Sequence, residues 1–189
     1  MNAKRLGACL LVLATGTLTI AALRPAILRQ DMPQPAEEHA MLQRDVGSWT
    51  GTLTIWMPGM PEMKSDATEV IESVGPFWTQ SRFTCDFMGM PYLGTGCLGY
   101  DAEKKEFVGT WIDNMSSAFA LMKGELDAET NSVVMHWSAP DMTGQVQPHR
   151  SVSVVDGDTR TSTFYVGEGE GTKSMVIEMK RVSKDAGAR

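Results

Sequence analysis

The stretch Leu93–Asn114, LGTGCLGYDAEKKEFVGTWIDN, decides the fold. Two β-compatible runs, Leu93–Tyr100 and Glu106–Asn114, flank the polar loop Asp101-Ala102-Glu103-Lys104-Lys105. Val108, Thr110, Trp111 and Ile112 are strand formers, and the loop carries turn chemistry, so the stretch predicts an antiparallel hairpin. Gly94, Gly96 and Gly99 weaken a flat strand but suit one that bends or is approached closely, as at a barrel corner.

Outward from the hairpin the same pattern recurs. Val46–Met57 alternates, with Trp49, Gly51, Leu53, Ile55 and Met57 on one face and Thr50, Thr52, Thr54 and Trp56 on the other. Further strands are expected over Asp66–Val74, Phe77–Phe87, Ala118–Leu126, Ser132–Ala139, His149–Val155, Thr159–Val166 and Lys173–Val182. Pro, Gly, Asn and Asp punctuate between them, as at Pro58-Gly59, Gly75-Pro76, Pro140-Asp141 and Asp156-Gly157-Asp158. About ten short strands with no helical period between them describe a meander. A meander of that length must cover both of its edges, so the expected fold is all-β, an antiparallel up-and-down barrel.

Ahead of the strands, Pro35-Ala36-Glu37-Glu38 opens a short helix reaching Asp45, with Pro and acids where a helix N-terminus favours them. His39, on that turn, reads as a surface or capping residue. Residues 24–36, with Pro25, Pro33 and Pro35, read as a flexible linker. Lys4 and Arg5 precede an apolar run from Leu6 to Leu23, the layout of an export signal. In a helix that run spans about 26 Å, short of a bilayer core of roughly 30 Å. Arg24 follows it directly, so an uncleaved anchor over residues 6–23 stands beside a cleaved signal over residues 1–23. Either way the body, residues 37–183 with a tail at 184–189, is expected outside the cytoplasm, periplasmic or secreted.

The 189 residues suffice for one domain with a full core. A formal charge of -6 with no basic cluster argues against nucleic acid, and against a membrane partner except through the N-terminal segment.

The pattern His39…Leu42…Val46-Gly47-x-Trp49, joined to Gly99-Tyr100-Asp101…Lys104-Lys105…Phe107-Val108-Gly109-Thr110-Trp111-Ile112-Asp113, resembles the bacterial domain-of-unknown-function family numbered 1579. The resemblance covers roughly Glu37 to Val182. It implies a calycin-like barrel, broadly similar to lipocalins, fatty-acid-binding proteins and nitrobindins. That family has no established activity, so it supplies no catalytic residue.

The chemistry-bearing residues leave several readings open. Cys85 and Cys97 are symmetric about Pro91, and a turn over Met88–Tyr92 sets them opposite each other, within disulfide reach. A register shifted by a residue leaves them as free thiols. Met57, Met60 and Met63, with Met88 and Met90 nearby, give a thioether run of the kind that selects Cu(I), or else an adaptable apolar rim. His136 and His149 lack metal-ligand spacing, and no cofactor is expected. No phosphate loop, dinucleotide fingerprint or hydrolase motif occurs.

The strand alternation places Trp49, Leu53, Ile55, Phe107, Trp111, Met122, Met135, Trp137 and Met175 inward. Such a lining either fills the barrel or surrounds one small apolar ligand. The expectation is a binding or structural module rather than an enzyme. A hollow apolar interior would point to binding, and a buried carboxylate with a shifted pKa in a cleft would point to catalysis.

Overall fold

The computed structural model describes residues 33–140 and 144–185. Helix α1 (Glu37–Arg44) leads into ten strands: β1 (Gly47–Ile55), β2 (Met63–Val74), β3 (Trp78–Phe87), β4 (Met90–Asp101) and β5 (Glu106–Asp113), then β6 (Ala120–Asp127), β7 (Ser132–Pro140), β8 (Val146–Asp156), β9 (Thr159–Val166) and β10 (Thr172–Ser183). Each strand pairs antiparallel with the next, and β1 returns to pair with β10. The sheet is therefore a closed up-and-down barrel without a free edge. The expected leader and most of the expected linker lie outside the described residues.

The opening hairpin forms as its sequence predicts. Tyr100 faces Phe107 and Gly96 faces Trp111 across β4 and β5. The Asp101 carboxylate accepts from the backbone N–H groups of Glu103 and Lys104, and Lys105 turns the chain with a φ of 55°. The three glycines are approached as expected. A Cβ on Gly94 would lie 2.1 Å from the Trp111 ring, and one on Gly99 would lie 2.3 Å from that of Trp78. No side chain fits at either place.

The neighbouring hairpin departs from expectation. Its turn is the two residues Met88-Gly89, with φ of 57° and 81°, flanked by the pair Phe87 and Met90. Two positive φ values match the twist of the strands on either side, and the Asp86 carboxylate fixes the turn by accepting from Gly89 N–H at 2.6 Å. Pro91 consequently stands inside β4, opposite Asp86. The centre of symmetry moves back, and Cys85 faces Tyr92 while Cys97 faces Gln80. A Cys85–Cys97 disulfide is thus excluded by register. Both thiols are free, Cys97 exposed and Cys85 half-buried, with burial pushing the Cys85 thiol up.

Helix α1 closes one end of the barrel. His39 caps it, its Nδ1 accepting from Ala36 N–H at 2.9 Å while its ring meets Phe77 and Tyr100 edge-on. Leu42 drops from the helix into a cluster with Phe107 and Met135. Its full burial contributes roughly 2 kcal/mol by area transfer. A second cluster, Trp49, Leu53, Ala67, Ile71, Phe83 and Met179, joins β1, β2, β3 and β10.

The closing seam is held by Arg181 on β10. Its guanidinium lies 4.0 Å from the centre of the Trp49 ring and donates to the carbonyls of Arg44 and Val46, and to the Asp158 carboxylate at 3.1 Å. The Arg44 carbonyl is one of those a helix C-terminus leaves without an internal partner. Trp49 completes the clasp by donating its Nε1–H to the Asp45 carbonyl at 2.8 Å. Helix, first strand and last strand are thereby tied at one point. Arg181→Ala is expected to destabilise the fold by about 2 kcal/mol, because it leaves the part-buried Val46 carbonyl without its donor and uncovers the Trp49 ring face. Arg181→Lys should recover little of the loss, since an ammonium cannot fork to two carbonyls while stacking. Urea denaturation of the three proteins measures both differences.

Candidate functional site

A cavity of about 450 Å³ runs between the helix end and the opposite mouth. The alternation that makes β-strands two-faced supplies its walls. Leu53, Ile55, Trp111, Met122, Met135, Trp137 and Met175, all expected inward, line it. Trp49 and Phe107 are inward too, but at 1% and 0% exposure they are packed into the helix-end clusters and lie outside the lining. Their roles are those of a plug.

The interior stays hollow because the largest ring is laid flat. Trp111 rests on the bare backbone of Gly94 and Gly96, where a Cβ on either would collide with it. Its Nε1–H donates to the Tyr92 hydroxyl at 3.1 Å, which fixes the ring against the wall. Burial pushes the Tyr92 phenol up to about 12, so it stays protonated across the ordinary pH range. On the far wall Trp137 stacks on His149, with ring centres 5.3 Å apart, and meets Phe164 edge-on.

The lining also contains a polar floor that the alternation argument does not anticipate. Glu69 from β2 and Arg160 from β9 form a buried ion pair across the helix end of the lumen, and Asp45 at the C-cap of α1 lies beside them. Arg160 also stacks over the Trp49 ring at 5.1 Å. Asp45 lines the cavity, and the surrounding protein strips its carboxylate of bulk water. Desolvation is the main reason its pKa rises from 3.8 to about 6, with Glu69 adding repulsion and Arg160, Arg44 and Arg181 opposing. From the floor a polar track climbs one wall through Ser162, Ser153 and Ser151, with the Ser153 and Ser162 hydroxyls 2.9 Å apart.

Toward the mouth two seams of the sheet come apart. β6 pairs with β7 only from Lys123 to Asp127, and Met122 and Trp137 beyond that point both face the cavity. β2 pairs with β3 only from Ala67 onward, and continuing the ladder would set Asp66 against Asp86, an unfavourable like-charge pair. The mouth half is therefore a leaf of β3–β6 and a leaf of β7–β10 with β1 and β2. Phe119, Leu121 and Val146, at 60%, 68% and 69% exposure, stand beside the β6–β7 seam.

Of the expected soft-metal residues, Met63 and Met88 flank the crevice at the β2–β3 seam. Met57 and Met60 belong to the β1–β2 turn and Met90 opens β4, none of them in that crevice. Among the described residues, no group of three or more His, Cys, Asp and Glu side chains gathers at a point suited to a metal ion. His136 is exposed, 3.5 Å from the Glu125 carboxylate. Asp45, Glu69 and Arg160 are the site residues that strand patterning missed. For Glu69 and Arg160 the one sequence signal is a charged residue at an inward position of an alternating strand, readable only once register is known. Asp45, at the C-cap of α1, carries no such signal.

Fold and site together define a hollow, ten-stranded up-and-down barrel with a helical plug, an apolar lumen and a charged floor. Residues 34–182 match the family described as "Protein of unknown function (DUF1579)", and the chain belongs to that family. No curated protein matches the sequence. Among solved structures, the barrel is similar to Rv2717c from M. tuberculosis, with a TM-score of 0.58 at 13% identity over 78% of this chain and 99% of that one. It is similar also to the S-type phycobiliprotein lyase CPES from Guillardia theta, with a TM-score of 0.55 at 13% identity over 79% and 98%. At such identity the likeness is one of fold.

The raised pKa of Asp45 makes stability depend on pH. The folded state holds this proton to about pH 6 and the unfolded chain only to about 3.8, so stability falls as pH rises through that window. Well above pH 6 the ionised carboxylate costs the folded state about 3 kcal/mol. Asp45→Asn is expected to be more stable than the parent at pH 7–8, with the gain gone below about pH 4. Thermal unfolding across pH 3.5 to 8 measures it.

Proposed function

We propose that this protein is an exported binding barrel for a small, mainly apolar molecule. The cavity carries the reading. About 450 Å³ is enough for one compact ligand, and the walls are aromatic rings, methionines and aliphatic side chains with a few placed polar groups. A barrel meant only as a rigid body fills such space with its own side chains. Here Trp111 is instead held flat by glycines and Tyr92. The split seams at the mouth give a path inward that needs few ladder hydrogen bonds broken. The phycobiliprotein lyase shares the shape alone, and the reading rests on this chain's own lumen.

Asp45 favours a second reading, an enzyme that uses this carboxylate as a proton donor to a bound molecule. A desolvated acid with a pKa of about 6 at a cavity floor is suited to that task. Under the enzyme reading Asp45→Asn keeps ligand but no longer converts it, whereas under the binding reading the ligand recovered from both proteins is identical.

Binding itself is tested with an apolar fluorescent probe. Saturable binding should quench or shift the emission of the cavity tryptophans. Trp111→Ala should weaken the probe at least several-fold. Trp56→Ala should leave it unchanged, because Trp56 lies in the β1–β2 turn, bonded to Glu62 and covered by Lys173. Equal effects, or no saturable binding, would point to a solid or partner-binding barrel.

Export rests on Lys4, Arg5 and the apolar run after them. The expected result is protein outside the cytoplasm, whose intact mass distinguishes a cleaved leader from a retained anchor. Full-length protein confined to the cytoplasmic fraction would overturn the export reading.

A further inference from the structure

We propose that the floor formed by Arg160, Glu69 and Asp45 receives the polar end of the ligand, and that this end is an uncharged oxygen acceptor, a carbonyl or a hydroxyl, on an otherwise apolar molecule. The inference rests on the binding reading above and specifies the chemistry of the same cavity.

A guanidinium offers five N–H donors. Arg160 is 8% exposed, lines the cavity, and gives one of its Nη groups to Glu69. Its Nε–H is buried without an acceptor, and the face of the ion lies over Trp49. A buried guanidinium with acceptors for only part of its donor set is an unmet demand at the bottom of an apolar lumen. An oxygen at the end of a ligand meets it.

Charge decides which oxygen. The charged groups lining the floor are Arg44 and Arg160 on one side and Asp45 and Glu69 on the other, so they balance once Asp45 is ionised. Glu69 already neutralises Arg160 at contact distance. A carboxylate entering there would be a third anion in a desolvated space, beside two that are already present, and would have to shed its own hydration. A carbonyl or hydroxyl accepts from the guanidinium without that cost. A hydroxyl can also donate, either to a floor carboxylate or to the serine track at Ser162 and Ser153. A plain hydrocarbon fills the same walls and leaves the donors unmet.

The experiment uses the whole protein and a matched series, decane, 1-decanol, 2-decanone and decanoate, each displacing the apolar fluorescent probe at pH 7.5. The alcohol and ketone are expected to bind about tenfold more tightly than decane and decanoate, the scale of one hydrogen bond to a charged donor. Tightest binding by decanoate, or one affinity for all four, overturns the choice of head group while the cavity reading stands. Failure of the probe itself to bind overturns both. In the paired variant Arg160→Met/Glu69→Met, which replaces the ion pair by apolar side chains without leaving half of it buried, the preference for oxygen heads, read from the four ligands against one another in that variant, should vanish. A preference that survives in this variant assigns the head group elsewhere, and the series on the parent protein decides the matter even if the variant does not fold.

Discussion

The structure depends on the clasp that Arg181 makes around Trp49. A ten-strand meander has no local device for finding its own ends, because β1 and β10 are separated by nearly the whole body of the chain. One side chain from the last strand lies on the ring of the first and also takes the carbonyls at the end of helix α1. Closure of the sheet and seating of the plug therefore share one set of contacts. The ring, the guanidinium and the helix end each leave exposed a polar or apolar face that the other two cover.

Closure at the helix end has its counterpart at the mouth, where the ladder is deliberately incomplete in a physical sense. Asp66 and Asp86 would repel if paired, and Met122 and Trp137 turn into the lumen at the place where β6 and β7 diverge. One end of the barrel is a packed plug built on Trp49, Leu42 and Phe107. The other is two leaves around a hollow. Under the proposed binding reading the two ends have different tasks, the rigid end holding the shape of the cavity and the loosely paired end giving access to it.

The cavity exists because large side chains line it without occupying it. Trp111 is the clearest case, since glycine at positions 94 and 96 lets its ring sink against the backbone. The charged floor has a different origin. A buried pair such as Glu69 and Arg160 contributes little net stability, as desolvation offsets most of the attraction, and a hydrophobic pair would serve packing as well. Its presence at the foot of an apolar lumen therefore fits a role toward what enters there better than a role in holding the barrel together.

Sequence alone determined the all-β meander, its closure, the short capping helix, the family and seven of the cavity's wall residues. The strands and walls follow from period-two alternation and turn chemistry, which are local and survive without knowledge of partners. The helix follows from Pro35 and the acids after it, and the family from the motif residues around Gly47-x-Trp49 and Gly99–Asp113. What it placed wrongly turned on register. The Met88-Gly89 turn needs a positive φ at a methionine, which composition does not announce, and moving that turn back from Pro91 separated Cys85 from Cys97. Tertiary structure alone decided that Trp49 and Phe107 plug the barrel while Trp111 and Trp137 line it, because their sequence patterns are the same and only the position of α1 differs. It alone brought Asp45, Glu69 and Arg160 together. Glu69 and Arg160 are 91 residues apart, on strands that are not neighbours, and no periodicity links residues that meet only across a closed lumen.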